Sequence, residues 1–523
     1  MRISASFRQC AQSAFRRGAS LLLSALPLIW LTPANAPAQE LTSLEAATAI
    51  QDAFVEAIAA AEKSVVSIAR IRRSEDDVRP LAGFGAGVFG GPLGGNAADP
   101  NDPYFTPDRT FIPNEYGTGV VVDAGGLILT NYHVIVQEGQ YWVAQGPGRF
   151  YTAQVVAADP RSDLAVLSID AEGLKPIKFG HARSLKKGHI VIALGNPQAI
   201  ARDGQPSASW GIVANLARMA APLADAIDSP ADRKTTLHHH GTLIQTDAKL
   251  NLGTSGGALI NLRGEMVGLT TAQAAAAGFE ESAGYAIPVD DTFLRVVDTL
   301  KEGREVEYGL LGVVPLDLGP AATTFGCRIE SVFLGTPADR AGLRAGDIVT
   351  HVDGEEVLDA DDLMLRIGRL PVGAYARLDL LSQGRKKSVS VELAKFMVPG
   401  HKIVTNPRPA WRGLHVDYAT AVLDERTLRE HGTLLNDGCI AVAAVDEGSV
   451  AWTQGLRPRD FISHVGQSRV TTPDEFLRAV AGKTGAVVLR RVRPADVGGA
   501  GIAAADAGVD TITLPAAAGP YND

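Results

Sequence analysis

The sequence predicts a mainly β protein in which a barrel-like body is followed by two copies of a smaller α+β module. The chain has 523 residues, which is too long for a single core. From Gly117 to Ala286, short apolar runs alternate with turn signals, as in all-β domains. The segment that starts at Gly326 recurs at Gly438, an offset of about 112 residues, which indicates a tandem duplication.

Before the body, residues 42–63 are Ala-rich with helical spacing and predict a helix, and the following SVVSIARI predicts a strand. Residues 79–113 are rich in Gly, Pro, Asn and Asp and predict a long loop. Within the body, Asp123-Ala-Gly-Gly and Asn261-Leu-Arg-Gly predict hairpin turns.

Further along, residues 199–240 contain loop material with an inserted segment, and Val289–Gly303 predicts an amphipathic helix that leads out of the body. His238, His239 and His240 are consecutive, so they cannot easily aim at one metal ion, and we expect a loop. Near the end of the chain, VDTITL at Val509 is expected to close the second module.

Composition excludes some classes of function. A hydrophobic content of 46% and a charged content of 20% indicate a globular chain. The net charge of −9 argues against nucleic acid as a partner, because phosphate binding needs a basic face. Of the three cysteines, Cys10 lies near the start, and Cys327 and Cys439 occupy equivalent positions in the two modules, where we expect small buried side chains and no disulfide.

The first 38 residues have the pattern of an export signal. A basic start precedes the apolar SLLLSALPLIWLT, which is too short to span a membrane comfortably. We expect cleavage after Ala38, with an uncleaved membrane anchor as the alternative.

The stretch Gly253-Thr-Ser-Gly-Gly places Ser255 among glycines just before an apolar strand. A serine hydroxyl is a weak nucleophile, and it needs a base that is itself held by a third group. The attacked carbonyl also needs N–H donors for its developing negative charge. We expect the backbone amides of Gly253 and Ser255 to form this oxyanion hole.

Candidates for the other two roles lie upstream of the serine. His133 follows the apolar run LILTNY, and Asp163 opens the strand LAVLSI. The order His, Asp, Ser is the chymotrypsin-type order. His133 is therefore the expected general base and Asp163 the group that orients it. Asp159 is the competing acid, although Asp-Pro at a turn has a structural use of its own.

These blocks resemble the HtrA/Deg family of trypsin-like serine proteases with C-terminal PDZ domains. The similarity runs from about Ser64 to about Leu514 and includes GTGVVVDAGGLILTNYHVI, ADPRSDLAVLSI, IQTDAKLNLGTSGGALINLRGEMVGLTTA and YGLLGV. The resemblance implies a chymotrypsin-like double β-barrel followed by two PDZ-like α+β domains. The implied division is a signal peptide at 1–38, a protease domain at 42–305, and PDZ-like domains at 306–398 and 408–515.

The resemblance also implies a function and partners. The family consists of ATP-independent endopeptidases that act on misfolded or damaged exported proteins, usually as homotrimers or multiples of trimers, without a cofactor or metal. A substrate pocket is expected at Leu250, Thr270 and Thr271. A periplasmic or envelope location follows from the signal. The alternative function is a protein-binding chaperone or scaffold with a dormant protease site.

Two departures from the family pattern affect the site. Leu252 replaces a proline that stiffens the loop in the family, and we expect the oxyanion hole to be less preformed in this chain. Lys249 replaces a small residue near the pocket wall, and it alters the pocket's preference only if it faces the pocket.

The PDZ-like modules are expected to bind peptide C-termini. A bound peptide adds as a strand, and its carboxylate docks on the N–H groups of a Gly-containing loop. In the first module this loop matches Leu310, Leu311, Gly312 and Val313. Arg412–His415 is a weaker match in the second module, and a packing role without a ligand remains open for both modules.

Overall fold

The structure is a computed structural model of the full chain. It describes residues 42–71, 115–135, 139–146, 149–196, 205–220, 236–251, 253–271, 283–320, 324–431, 435, 438–492 and 509–516. The predicted export signal, the loop predicted at 79–113, much of the predicted insertion and Leu252 lie outside these residues.

A first closed barrel follows an N-terminal helix, α1 (Ser43–Ala61). Its strands pair in the order β5-β4-β1-β2-β3-β6, and β6 pairs back with β5. The elements are β1 (Val65–Ile71), β2 (Glu115–Val121), β3 (Leu127–Asn131), α2 (Tyr132–Ile135), β4 (Gln140–Ala144), β5 (Phe150–Asp159) and β6 (Leu164–Ile169). The hairpin predicted at Asp123 joins β2 to β3 and is confirmed.

A second closed barrel has the strand order β10-β11-β12-β9-β8-β7. Its strands are β7 (Ile190–Gly195), β8 (Ser207–Arg218), β9 (Leu243–Thr246), β10 (Ala258–Ile260), β11 (Met266–Thr271) and β12 (Gly284–Pro288). The hairpin predicted at Asn261 joins β10 to β11. The chain then enters helix α3 (Asp291–Lys301), which begins where the side chain of Asp290 accepts the N–H of Phe293 at 2.9 Å.

The first α+β module is built on a sheet of order β14-β15-β16-β18-β19, with β17 on β16. Two further short strands pair with each other: β13 precedes this sheet in the chain and β20 follows it. The elements are β13 (Gly309–Leu310), β14 (Val313–Asp317), β15 (Cys327–Val332), α4 (Pro337–Arg340), β16 (Ile348–Val352), β17 (Glu355–Glu356), α5 (Ala360–Arg369), β18 (Tyr375–Ser382), β19 (Arg385–Glu392) and β20 (Ala394–Lys395).

The second module repeats this arrangement, as the duplication predicts. Its sheet has the order β22-β23-β24-β26-β27, with β25 on β24. After a linker strand, β21 (Ile403–Val404), the elements are β22 (Leu414–Tyr418), α6 (Glu425–His431), β23 (Ile440–Val445), α7 (Val450–Thr453), β24 (Phe461–Val465), β25 (Ser468–Arg469), α8 (Pro473–Val480), β26 (Val487–Val492) and β27 (Val509–Leu514). The predicted closing strand at Val509 is confirmed as β27, which pairs with β26.

The linker between the two modules lies against the first barrel. Its strand β21 pairs with β5 and extends the barrel sheet. Two side-chain hydrogen bonds also join the linker to the first barrel. The hydroxyl of Tyr132 donates to the carbonyl of His401 at 2.9 Å, and the hydroxyl of Thr405 donates to the carbonyl of Val156 at 2.7 Å. Sequence patterns gave no sign of this attachment, because a two-residue strand carries no detectable period.

Lys395 is buried at the junction between the linker and both modules. Its amino group lies 2.9 Å from Glu305, 3.1 Å from Glu307 and 2.8 Å from Asp417. Burial alone would lower the pKa of Lys395, but these three carboxylates raise it above its ordinary value. Because Asp417 lies on β22, this cluster ties the second module to the segment that leads out of the barrels.

The cysteines, residues 199–240 and the three consecutive histidines can be compared with what the sequence predicted. Cys327 and Cys439 are both buried, as expected, and neither is in a disulfide with a described residue. Within 199–240, the long strand β8 was not predicted, because its buried positions are only Gly211 and Val213, too few apolar residues to indicate a strand. The histidines from His238 to His240 lie in a buried 3-10 turn, which corrects the expectation of a loop. Among the described residues, no helix is long and apolar enough to cross a membrane.

Candidate active site

His133 lies on α2, directly after β3, and Asp163 lies in the turn between β5 and β6. The pairing of β3 with β6, in which Asn131 is opposite Leu164, brings the two positions together. Nδ1 of His133 lies 3.0 Å from Oδ1 and 2.9 Å from Oδ2 of Asp163. The backbone N–H of His133 donates to Oδ1 at 3.1 Å. One carboxylate therefore fixes both the ring and the backbone of His133.

The backbone of Asp163 has a left-handed conformation, with φ of 55°. This region is uncommon for residues other than glycine, although aspartate tolerates it better than most. The carbonyl of Asp163 accepts the N–H of Tyr132 at 3.0 Å. The turn thus points the carboxylate back at the helix that carries His133.

The surroundings of His133 raise its pKa. Burial by itself would lower this pKa, because it penalises the charged ring. The charge of Asp163 and its hydrogen bond to the ring outweigh burial. In the neutral ring, the carboxylate favours the proton on Nδ1 and leaves the lone pair on Nε2, which is the tautomer that a general base needs.

The turn that carries Ser255 is anchored by Thr118 on β2. The N–H of Thr118 donates to the carbonyl of Ser255 at 2.8 Å, and its hydroxyl donates to the carbonyl of Gly253 at 2.7 Å. A Cβ at Gly256, which has φ of 85°, would lie 2.0 Å from the carbonyl oxygen of Thr118. The turn therefore needs glycine at position 256 to approach β2 this closely.

The peptide planes of this turn bear on the predicted oxyanion hole. The carbonyl of Thr254 accepts from the hydroxyl of Thr270 at 2.6 Å, so it faces the interior. In a trans peptide the N–H points opposite to the carbonyl, and the N–H of Ser255 therefore points away from Thr270. The N–H of Gly253 belongs to the peptide bond with Leu252, which lies outside the described residues. The part of Gly253 in the hole and the effect of Leu252 stay predictions.

Gly117 on β2 lies between the helix that carries His133 and the turn that carries Ser255. A Cβ at Gly117 would be 2.7 Å from Cγ1 of Val134 and 3.5 Å from the carbonyl oxygen of Ser255. The helix that carries His133 and the turn that carries Ser255 thus pack against the same glycine. The structure brings His133, Asp163 and Ser255 together where the two barrels meet.

A cavity of about 170 Å³ lies beside the serine turn. Leu250 and Thr270, both predicted as pocket residues, line it. Among the described residues Thr271 does not border it, because successive side chains on β11 point to opposite faces. Lys249 also lines the cavity. It therefore faces the pocket, as it must if it is to alter the substrate preference. The remaining lining comes from Ala193, Leu194, Gly195, Ser207, Ala208, Ser209, Asn251 and Thr254.

The four residues predicted for the peptide loop of the first module run from the end of β13 at Leu310 to the start of the edge strand β14 at Val313. The carbonyl of Leu311 accepts the N–H of Ala338 at 2.9 Å, and that of Gly312 accepts the N–H of Phe333 at 3.0 Å. Because these carbonyls face the module, the N–H groups that follow them in the chain point outward. Val313 begins β14, whose free edge lies beside α5.

The corresponding loop of the second module differs at its outer edge. Trp411 and Leu414 exchange both backbone hydrogen bonds, each at 3.0 Å. The ring of Trp411 stacks edge-on against Phe476 of α8, with centroids 5.9 Å apart. The guanidinium of Arg412 fixes this arrangement by donating to the carbonyls of Lys483, Gly485, Leu514 and Pro515. The chain's own Trp411 occupies the edge where a peptide strand would pair.

Asp159, the competing acid, has a different set of partners. It accepts from the N–H and hydroxyl of Ser162 at 2.8 and 2.6 Å and from the buried hydroxyl of Tyr308. Burial raises the pKa of Asp159. These contacts give Asp159 the turn-stabilising use that Asp-Pro suggests, and they connect the turn that carries Asp163 to the start of the first module.

The three consecutive histidines each have their own partner. His238 lies 2.8 Å from the carbonyl of Ser162 and 2.7 Å from the hydroxyl of Thr242. His240 lies 2.9 Å from Asp361 of α5. In the described part of the chain, no group of three or more His, Cys, Asp or Glu side chains is arranged to hold a metal ion.

Comparison with known proteins gives a consistent result. A trypsin-like peptidase domain matches residues 117–269, and a PDZ domain matches residues 328–364 and 441–494. The probable periplasmic serine endoprotease DegP-like of Chlamydia trachomatis serovar D is 30% identical over 388 residues, covering 73% of each chain. The protein of the same description from Hahella chejuensis is 28% identical over 472 residues, covering 87% of this chain and 92% of the relative.

A solved structure described as the HtrA-type protease AlgW with decapeptide is 26% identical, at a TM-score of 0.48, and covers 66% of this chain and 99% of its own. The family assignment rests on the sequence relatives and the two domain types. The chain belongs to the HtrA/Deg family of trypsin-like serine proteases with C-terminal PDZ domains, and it is a serine-type endopeptidase.

Proposed function

We propose that this endopeptidase degrades misfolded or damaged proteins of the cell envelope without ATP, with Ser255 as nucleophile, His133 as general base and then acid, and Asp163 as the residue that orients His133. The observation that carries the proposal is the contact of both carboxylate oxygens of Asp163 with Nδ1 of His133, on a helix packed beside the Ser255 turn.

The reaction would follow the acyl-enzyme route. Ser255 Oγ attacks the scissile carbonyl while its proton moves to Nε2 of His133, and the developing oxyanion is held by the N–H groups of Gly253 and Ser255. His133 then returns the proton to the leaving amine. Water, activated by the same ring, hydrolyses the ester and frees Ser255.

Hydrolysis of casein, a largely unfolded protein, by the mature chain tests this proposal. Cleavage supports it. A folded chain that does not cleave, with or without a C-terminal peptide, would favour the alternative of a chaperone or scaffold with a dormant site. The relatives, which are described as endoproteases, argue for the enzyme.

We further propose that the first module binds the C-termini of peptides and the second does not. In the first, the N–H groups of Gly312 and Val313 point away from the module, at the head of an open edge strand. In the second, the backbone of Leu414 is already paired with Trp411. Strand addition needs an unpaired edge, so only the first module offers the peptide a site.

Matched glycine substitutions test this assignment. A Cβ at Gly312 would lie 2.3 Å from Thr336, and a Cβ at Gly413 would lie 2.2 Å from Ser449, so each substitution distorts its own loop to a similar degree. We expect Gly312→Ala to weaken binding of a fluorescent peptide with an apolar C-terminus by about tenfold or more, and Gly413→Ala to leave it unchanged. Anisotropy titrations of the full chain measure both. Equal losses in the two variants would contradict the assignment.

We also propose that the mature chain is a periplasmic homotrimer or a multiple of one, with the signal at 1–38 and domains at 42–305, 306–398 and 408–515. Exposed apolar side chains on β8 support an assembly surface: Trp210 is 63% exposed, Met219, just beyond the strand, is 50% exposed, and Phe54 packs against the Trp210 ring at 5.4 Å. Light scattering of the mature chain, purified from a periplasmic fraction, tests the location and the size together. A monomer would contradict the assembly, and retention in the membrane would favour an uncleaved anchor.

A further inference from the structure

Asn131, the last residue of β3, contacts Asp163 on the side opposite to His133's backbone. Its side-chain amide donates to Oδ2 of Asp163 at 3.2 Å and to the carbonyl oxygen of Asp163 at 3.2 Å. Asn131 is fully buried. Both neighbours are acceptors, so the nitrogen of the amide, and not its oxygen, must face Asp163.

The hydrogen bonds of the Asp163 carboxylate divide between two residues in the described part of the chain. Oδ1 accepts from the backbone N–H of His133 and lies 3.0 Å from Nδ1. Oδ2 lies 2.9 Å from Nδ1 and accepts from Asn131. Without Asn131, Nδ1 of His133 would be the one remaining partner of Oδ2 among the described residues, and the carboxylate would be less restrained about its Cβ–Cγ bond.

The second hydrogen bond of Asn131 acts on the backbone. It reaches the carbonyl of Asp163, the residue whose φ is 55°. A left-handed residue other than glycine persists only where its surroundings enforce the conformation. Among the described residues, this carbonyl accepts from Asn131 and from the N–H of Tyr132, the latter at 3.0 Å. One side chain thus fixes both the main chain and the carboxylate of Asp163.

A stability role alone does not account for asparagine at this position. The Oδ1 atom of Asn131 is buried and has no hydrogen-bond donor among the residues that the structure describes. An apolar side chain of similar size would avoid this unsatisfied acceptor, but it would also remove the N–H groups that the carboxylate and carbonyl of Asp163 accept.

We propose that Asn131 is a positioning residue of the protease: it holds Asp163 in the orientation that keeps the His133 ring directed at Ser255. The proposal rests on the proposed roles of those three residues. Asn131 touches neither substrate nor the reacting atoms, and it acts through Asp163.

Two substitutions separate positioning from stability. Asn131→Leu removes the donor and the unsatisfied acceptor together, and we expect kcat for a peptide substrate to fall about tenfold to a hundredfold with KM within about twofold. Asn131→Asp keeps the shape and adds a second carboxylate beside Asp163. Two buried carboxyl groups in contact share one proton, so the new group should stay protonated near neutral pH, donate to Oδ2 and preserve more activity than Asn131→Leu. Activity should then fall in alkaline buffer, where the pair loses that proton and its two charges repel.

The controls identify the source of any loss. Asn261→Ala removes a side-chain amide whose hydrogen bonds remain in the β10–β11 hairpin, at Arg263 and Glu265, and it should lower stability while leaving kcat within about twofold. The parent and Ser255→Ala chains, run alongside, show whether the protease assignment itself holds. Thermal unfolding of each variant reports its fold.

An Asn131→Leu enzyme with the kcat of the parent, or an Asn131→Asp enzyme whose pH–rate profile matches that of the parent in alkaline buffer, would overturn the proposal. Loss of the folded state in both variants would also overturn it, because Asn131 would then serve the fold. If only Asn131→Leu unfolds, the pH profile of Asn131→Asp decides.

Discussion

Replacing Ser255 with alanine is expected to lower the cleavage of casein by at least about 10⁴-fold, because no other group in the proposed mechanism forms the acyl-enzyme. The group that is lost is one hydroxyl, in a turn to which Thr118 donates two hydrogen bonds, both to backbone carbonyls. The turn and both modules should therefore keep their structure. Initial rates of fluorescent casein release measure the effect.

Two controls make the Ser255→Ala result specific. The thermal unfolding midpoint should match that of the parent chain, and the affinity for a C-terminal peptide should be unchanged, since the first module does not involve Ser255. Residual cleavage above about one per cent of the parent rate, in a preparation free of other proteases, would show that the nucleophile lies elsewhere.

The second large effect is expected from Asp163→Asn, for which we predict a loss of about 10⁴-fold in kcat. The asparagine amide would present an N–H to Nδ1 of His133, so the ring would place its proton on Nε2 and could not accept one from Ser255. KM should change little, because Asp163 is buried and does not touch substrate. The same casein and peptide assays measure both constants.

The pH dependence of Asp163→Asn gives a second signature. In the parent, the raised pKa of His133 means that activity falls as the pH drops through that pKa, because the base becomes charged. Without the carboxylate, burial acts unopposed and lowers this pKa. The residual activity of the variant should therefore persist to lower pH than that of the parent.

Asp159→Asn is the matched control for that experiment. It removes a buried carboxylate from the same turn, but one whose partners are Ser162 and Tyr308. We expect lower stability and a loss of kcat under about tenfold. A reversal, in which Asp159→Asn loses far more activity than Asp163→Asn, would show that the acid was wrongly chosen.

The sequence predicted those elements of the fold whose residue pattern lies within a short stretch of the chain. Short-range patterns predicted the barrel strands, the hairpins at Asp123 and Asn261, and α3. These patterns are hydrophobic periodicity and turn residues, and the structure confirms the elements. The duplication was equally visible, because two copies of one pattern lie about 112 residues apart.

Features that depend on distant parts of the chain were not predictable in this way. Strand β8 has a weak sequence signal, since Gly211 and Val213 are its only buried residues. The buried 3-10 turn at His238 depends on Ser162 and on Asp361 of the first module, which are far away in sequence. Asn131 carries no motif of its own. Its proximity to Asp163 follows only from the pairing of β3 with β6.

The proposed mechanism requires Ser255 to be an activated nucleophile in this chain. Treatment of the mature protein with a fluorophosphonate, followed by peptide mass spectrometry, tests it most directly, because only a serine with a working base and oxyanion hole reacts rapidly. We predict a single adduct on Ser255, absent in Ser255→Ala and strongly reduced in Asp163→Asn. An unlabelled, folded protein, or an adduct on another serine, would contradict the account.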